Sequence, residues 1–156
     1  MQTFIEHEPV RLKSLTHDEI NQLQHLVNHY PVDFKTDDEE SLFQHRLKLA
    51  SEGKISSNVW LFRTNDVFGN VIGWTMFSVC HDVDDCLFSY AGFYVKHTHR
   101  RLGIGSDLYK KVYQWAVDNN IEEIRTQPWN SQSRSFFKSV GCVVRTTSLC
   151  LTKIRK

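Results

Sequence analysis

The residues whose types and spacing point most directly to chemistry lie in the segment from Val95 to Ser106, between a predicted strand and a predicted helix. Gly103 and Gly105 lack the Cβ atoms that would keep a ligand away from the backbone. The first amides of the following helix have no carbonyl partner inside it, and they lie at the positive end of its dipole. Because Arg100 and Arg101 add positive charge beside these amides, the segment predicts a polyphosphate site.

The loop by itself leaves a second interpretation open. It has neither the Gly-Lys-Ser/Thr ending of a Walker loop nor the complete G-x-G-x-x-G spacing of a dinucleotide-binding fold. A strand-to-helix turn that needs glycine, and that carries two solvated arginines, explains the same residues.

Further segments narrow this choice. Arg100-x-x-Gly103-x-Gly105 resembles the acyl-CoA signature Q/R-x-x-G-x-G/A of the GNAT superfamily of N-acetyltransferases. The later segment 130–142, which contains Asn130, Ser133 and Phe137, is similar to the block that follows in that family. Val71-Ile72-Gly73-Trp74 is similar to the family's third strand. Two motifs at the expected separation are more specific than either one alone.

The resemblance implies that acetyl-CoA is the cofactor. It implies that the backbone of Tyr94 and Val95 holds the pantetheine arm in a splayed gap between two strands, and that the amides from Arg101 to Ser106 hold the pyrophosphate. The acceptor would enter from the opposite side, bounded by the two N-terminal helices. The residues that the resemblance assigns to the cofactor are Tyr94, Val95, Arg100, Arg101, Leu102, Gly103, Ile104, Gly105, Ser106, Asn130, Ser133 and Phe137.

The usual catalytic groups of the family are missing from the matching positions. Many members have Tyr where this chain has Phe137, and Glu or His on the strand that matches Cys86–Val95. Here that strand offers Ser89 and Tyr90, which we take as candidates for a base acting through a water relay. A positioned base contributes about 10²–10⁴-fold, whereas aligning the reactants can contribute about 7–11 kcal/mol. The sequence therefore favours an acetyltransferase, with a non-catalytic CoA-binding or regulatory module as the alternative.

The elements that must position these residues follow from hydrophobic spacing and capping patterns. In chain order we predict a strand over Val10–Leu15, helices after Thr16 and after Thr36 with the second ending at Gly53, strands over Val59–Arg63, Val71–Cys80 and Cys86–Val95, a helix over Gly103–Asn119, a strand over Glu123–Gln127, a helix over Ser131–Val140 and a closing strand over Cys142–Leu151. This order predicts an α+β fold with a mixed, mostly antiparallel central sheet flanked by about four helices, in a single GNAT-like domain over residues 1–156.

The composition is ordinary for a globular protein. With 19 basic and 18 acidic side chains the net charge is +1, which gives no strong signal for nucleic-acid binding. We see no signal peptide and no apolar run of about 18 residues, so we expect a cytoplasmic protein without a membrane partner. The expected partner is a small-molecule amine or a peptide amine. The sequence allows a homodimer without establishing one.

Two other clusters have ordinary explanations. His25 and His29 stand at i, i+4 spacing, but on the side of their helix opposite the apolar residues, so we predict a solvated face and no metal site. The run 82–85, with three aspartates, would attract a cationic substrate, although a polar hairpin tip explains it as well.

Overall fold

The structure is a computed structural model of the chain, and it describes residues 4–29, 42–80, 86–89, 93–121, 123–126, 138–140, 143–146 and 149–153. Its strands are β1 (Ile5–Glu6), β2 (Val10–Arg11), β3 (Val59–Asn65), β4 (Val71–Cys80), β5 (Cys86–Ser89), β6 (Phe93–Val95), β7 (Glu123–Thr126), β8 (Val143–Thr146) and β9 (Leu149–Lys153). Its helices are α1 (His17–His29), α2 (Leu42–Ser51) and α3 (Ile104–Asp118).

The strands form one sheet in the order β1-β3-β4-β5-β7-β9-β8, with β2 also paired to β3 and β6 also paired to β4. Every pair is antiparallel except β5 with β7, which is parallel. The mixed, mostly antiparallel sheet is confirmed. Three of the expected helices lie in the described residues; the fourth, over 131–140, falls outside them except at 138–140, where Lys138 and Ser139 are helical.

The two faces of the sheet bury separate apolar clusters. One lies with α1 and α2 and includes Leu23, Leu47 and Trp74. The other lies with α3 and includes Phe77 and Leu108. The sheet therefore separates an α1–α2 side from an α3 side.

The start of α1 confirms the capping box that the sequence predicts. The amide of Glu19 donates to Oγ1 of Thr16 at 3.2 Å, and the amide of Thr16 donates to Oε1 of Glu19 at 3.0 Å. The second carboxylate oxygen of Glu19 pairs with Nη1 of Arg63 on β3 at 2.6 Å. The Thr16 amide, together with the Arg63 guanidinium, holds the pKa of Glu19 below its ordinary value.

Three predicted strands differ from the structure, and two of them lie toward the ends of the sequence. In place of one strand over Val10–Leu15, the chain has the short β2 and then a 3₁₀ turn over Leu12–Ser14, which lets Leu12 enter the core fully buried. The predicted closing strand Cys142–Leu151 is two strands, β8 and β9, which pair with each other. Alternation shows that residues are extended, but it does not show where the chain reverses.

None of the helices in the described ranges combines the length and apolar character needed to cross a membrane.

Candidate functional site

A change of register divides the strand predicted over Cys86–Val95. Phe88 on β5 pairs with Ser78 of β4, whereas Phe93 on β6 pairs with Thr75. Between these pairs β4 has two residues, 76–77, while the other segment has four, 89–92. The two extra residues mean that β5 and β6 cannot run as one uninterrupted strand against β4.

The same change opens the sheet beside β6. β5 continues the sheet by pairing in parallel with β7, where Ser89 lies opposite Thr126. Among the strands that the structure describes, β6 pairs with β4 alone. One edge of Phe93–Val95 therefore meets no described strand. In a continuous sheet, the backbone amide and carbonyl groups on that edge would form hydrogen bonds with a neighbouring strand. An extended ligand with amide groups fits such an edge.

Tyr94 and Val95 are the two β6 residues that the sequence assigns to the cofactor. Their side chains pack on opposite faces of the sheet. The buried side chain of Tyr94 packs against Trp74 in the α1–α2 cluster, with ring centroids 4.4 Å apart. Val95 packs against the α3 cluster. Since both side chains are fixed by packing, the backbone between them has a fixed position at the open edge.

The loop from β6 to α3 is tied back to the sheet. The amide of Lys96 donates to the Ile72 carbonyl at 2.7 Å, and residues His97–His99 form a 3₁₀ turn. Nε of Arg100 donates to the carbonyl oxygen of Val95 at 2.9 Å. The sequence assigns Arg100 to the phosphate. One of its hydrogen-bond donors holds the loop against the end of β6. The sequence holds no signal for this contact.

Two positive φ angles shape the approach to α3. Arg101 has φ 65° and Gly103 has φ 82°. A residue with a Cβ atom adopts this left-handed region at a cost, which gives Gly103 a conformational reason to be glycine. Leu102 lies between them with half of its surface exposed.

The start of α3 has no side-chain cap. Gly103 occupies the N-cap position and contributes no side-chain hydrogen bond. The amide of Asp107 donates to the Gly103 carbonyl at 2.9 Å and makes the first hydrogen bond of the helical series. The amides of Ile104, Gly105 and Ser106 precede it, so they have no carbonyl one turn back. This arrangement suits an anion, because donors and the positive end of the helix dipole coincide.

Gly73 fixes where this helix start lies on the sheet. A Cβ atom at Gly73 would come 2.8 Å from Cγ2 of Ile104 and 3.4 Å from Cδ1 of Leu108. Since only a residue without a side chain permits this approach, the glycine of the Val71–Trp74 segment sets the height of α3 above β4.

The structure brings together the predicted residues from Tyr94 to Ser106 at one edge and one helix start. Ser89 ends β5, and only its backbone is described. The predicted residues Tyr90, Asn130, Ser133 and Phe137 lie outside the described ranges, as does the acidic segment 82–85.

Sequence reasoning missed a buried cation on the α1–α2 side. Arg46 of α2 is 6% exposed, and its Nη2 donates to Oγ of Ser78 on β4 at 3.4 Å. Its spacing of three from Phe43 and four from Ala50 places it on the apolar side of α2, which is the signal that was available. A charged group buried beside Ser78 makes this side of the sheet polar as well as apolar.

At His25 and His29 the sequence predicts a solvated helix face and no metal site. His25 is exposed on α1, and within the described ranges no group of three His, Cys, Asp or Glu side chains is close enough to hold a metal ion.

Comparisons with known proteins agree on one family. No curated protein matches the chain, but the model of the acetyltransferase (GNAT) family matches residues 20–142. Similar solved structures include a GNAT-family protein from Desulfovibrio desulfuricans, with TM-score 0.76 and 9% identity over 99% of this chain and 100% of that one. A ribosomal-protein-S5-alanine acetyltransferase from Vibrio fischeri has TM-score 0.68 and 12% identity over 97% and 98% of the chains. An aminoglycoside acetyltransferase from an uncultured soil metagenomic sample has TM-score 0.66 and 18% identity over 92% and 90%. With most of its length matched by the family model, and with its sheet and helices in that arrangement, the chain belongs to the acetyltransferase (GNAT) family.

Proposed function

We propose that this chain transfers an acetyl group from acetyl-CoA to an amine by direct attack within a ternary complex. The observation that carries the proposal is the open edge of β6 beside the uncapped start of α3. One element offers unpaired strand groups to an amide-containing arm, and the other offers amides to a diphosphate. Pantetheine and pyrophosphate are joined in that order in CoA.

The residues fit acetyl-CoA by charge and by space. The backbone of Tyr94 and Val95 would hold the pantetheine arm, and the amides from Arg101 to Ser106 would hold the pyrophosphate. The missing side chains at Gly103 and Gly105 allow close approach of the backbone. By resemblance, Asn130, Ser133 and Phe137 would lie along the arm and the thioester. When bound, acetyl-CoA supplies the carbonyl carbon that the amine attacks.

Proton transfer is the step for which the chain offers the fewest candidate side chains. An amine with the ordinary pKa of lysine, ~10.4, is neutral in only about one molecule in a few thousand at pH 7. We assign Ser89 and Tyr90 to a water relay that removes the proton. Since alignment contributes about 7–11 kcal/mol, the transferase works without a carboxylate or imidazole, most readily on amines of low pKa.

The acceptor belongs on the α1–α2 side of the sheet, because α3 covers the other face. We propose a small-molecule amine or a peptide amine. Similar structures include one named for an alanine of a ribosomal protein and one named for aminoglycosides, so the fold is compatible with both classes. A cytoplasmic location, a single domain over residues 1–156 and a homodimer remain predictions.

A second candidate is a CoA-binding module without turnover. Phe137 has no hydroxyl with which to protonate a leaving thiolate, and the segment 86–95 contains no carboxylate or imidazole, which favours this alternative. Both candidates share the cofactor site and differ only in acyl transfer.

The test is to incubate the protein with acetyl-CoA and a panel of amines while measuring released thiol. Release that depends on one amine class, above hydrolysis without amine, supports the transferase and identifies the acceptor. Binding of acetyl-CoA by calorimetry, with no amine-dependent release, supports the module. Absence of acetyl-CoA binding contradicts both.

A further inference from the structure

Two cysteines, Cys80 and Cys86, lie directly opposite each other in the sheet. Cys80 is the last residue of β4 and Cys86 is the first residue of β5, and the antiparallel register of these strands pairs the two. The segment 81–85 joins them in sequence. Since the proposed acyl transfer uses neither residue, their pairing leaves open what two neighbouring thiol-bearing residues do at this end of the sheet.

The hydrogen bonds of Val79 show which kind of antiparallel pair the cysteines form. The amide of Val79 donates to the carbonyl oxygen of Asn58 at 3.0 Å, and the carbonyl oxygen of Val79 accepts from Nδ2 of Asn58 at 2.9 Å. The backbone groups of Val79 are therefore directed to the β3 edge of β4. Because this direction alternates along a strand, the backbone groups of Cys80 are directed to β5. Cys80 and Cys86 thus form a hydrogen-bonded pair, in which opposite Cα atoms are about 5.5 Å apart.

That spacing fits a disulfide, although not a relaxed one. Disulfides join residues whose Cα atoms are about 4.4–6.8 Å apart and whose Cβ atoms are about 3.5–4.5 Å apart. Opposite residues in a sheet have Cβ atoms about 4.5–5.5 Å apart, with hydrogen-bonded pairs at the upper end. A bond between Cys80 and Cys86 therefore requires the two strand ends to move together, and it is easily reduced. This behaviour is typical of a reversible redox element rather than of a permanent structural link.

We propose that Cys80 and Cys86 form a reversible disulfide when a low-molecular-mass disulfide, such as oxidised glutathione, acts as the oxidant. One cysteine thiolate attacks a sulfur of the oxidant and displaces a thiolate from it. The other cysteine thiolate then attacks the mixed disulfide and displaces the second thiolate. One S–S bond breaks and one forms. The two cysteines lose two electrons to the oxidant, and their two protons pass to the released thiols.

The position of the pair decides which step of acyl transfer responds to oxidation, a consequence that rests on the proposed function. Ser78 contacts Arg46 of α2, and alternate residues of a strand share a face, so Cys80 belongs to the α1–α2 face proposed for the acceptor. β6 pairs with Gly73–Thr75, roughly 17 Å along β4 from Cys80. Because closing the bond moves the ends of β4 and β5, oxidation should raise the KM of the amine at least about threefold and leave acetyl-CoA affinity within about twofold.

The test is to equilibrate the full chain with mixtures of oxidised and reduced glutathione, alkylate the free thiols and digest with an endoproteinase that cleaves before aspartate. The three aspartates of segment 82–85 lie between the two cysteines, so the two fragments stay joined only where the disulfide has formed. We expect mass spectrometry to find the joined fragments in the wild type and to find them separated after a thiol reductant is added. They should be absent in Cys80→Ser and in Cys86→Ser.

Cys150→Ser is the matched control, because the strand register places Cys150 opposite Thr126 and Val144. This variant should keep the joined fragments. If Cys80 and Cys86 are alkylated at every glutathione ratio, or are bonded to glutathione and never to each other, the proposal is overturned. Joined fragments in a protein that acetylates no amine support the disulfide and contradict the proposed function. Joined fragments with an unchanged amine KM support the disulfide and overturn its effect on the acceptor.

Discussion

The first amides of α1 and of α3 have no carbonyl partner inside their helices, and the two helix starts differ in what satisfies these amides. At α1, Thr16 and Glu19 satisfy each other's amides through their side chains. At α3, Gly103 has no side chain, and the amides that follow it have no cap of this kind. A helix start that is closed by its own residues serves stability, whereas one that is left open by glycine remains available to a ligand. We therefore expect changes at the two starts to affect different measurements.

The largest expected effect is on cofactor binding in Gly105→Glu. A carboxylate among the first amides of α3 would occupy the donors and repel the diphosphate, so acetyl-CoA affinity should fall at least about 100-fold. The increase in Tm on adding acetyl-CoA should then disappear. Val117→Glu, which adds the same charge to the exposed last turn of α3, is the control. An undiminished increase in Gly105→Glu would remove the pyrophosphate from this turn.

At α1, Thr16→Ala should lower stability by about 1 kcal/mol without changing acetyl-CoA affinity. The Glu19 amide loses its acceptor, Oγ1 of Thr16, while the ion pair with Arg63 remains. Urea unfolding measures the loss, and Thr16→Ser should restore stability. A parallel fall in acetyl-CoA affinity would show that the two helix starts are coupled.

A smaller effect on binding is expected for Arg100→Ala, about tenfold or less, because the backbone amides remain. If Arg100 acts by holding the loop to the Val95 carbonyl, the loss should persist at high salt. The loss in Arg101→Ala, an exposed charge, should shrink as salt is added. Equal salt dependence of the two variants would mean that Arg100 acts through its charge alone.

The smallest expected effect concerns the pH dependence of stability that His7, directly after β1, contributes. Burial, together with the nearby Arg63 guanidinium, lowers the pKa of His7 below 6.5. The unfolded chain therefore takes up this proton first as the pH falls, and the native state loses stability below about pH 6.5. In His7→Gln the loss of stability between pH 7.5 and 5.5 should be smaller than in the wild type, measured by urea unfolding. His25→Gln, at an exposed position, serves as control; the same loss in all three proteins would contradict this role.

Local features of the fold were predictable because they depend on neighbours in sequence. The capping box at Thr16, the end of α2 before Gly53, the long strand Val71–Cys80 and the glycine-led start of α3 all follow from residues within one or two turns. The phosphate site expected in the loop likewise rests only on glycine, arginine and a following helix, and it stays a prediction.

Features that depend on distant partners were not predictable in the same way. The alternation over Cys86–Val95 does not reveal that β5 and β6 pair with β4 in different registers. Nor does the sequence of the loop show that Arg100 turns back to Val95. Each depends on which atoms of another strand lie within a few ångströms.

The sequence by itself determined the family resemblance, the order of the helices and of the long strands, and the glycine-led start of α3. Only the tertiary structure decided that one edge of β6 is left without a described partner, that Ile104 reaches Gly73, and that Arg100 turns back to Val95. The physical reason is that hydrophobic period and capping act over a few residues, whereas strand register and cavities arise from the packing of elements far apart in the chain.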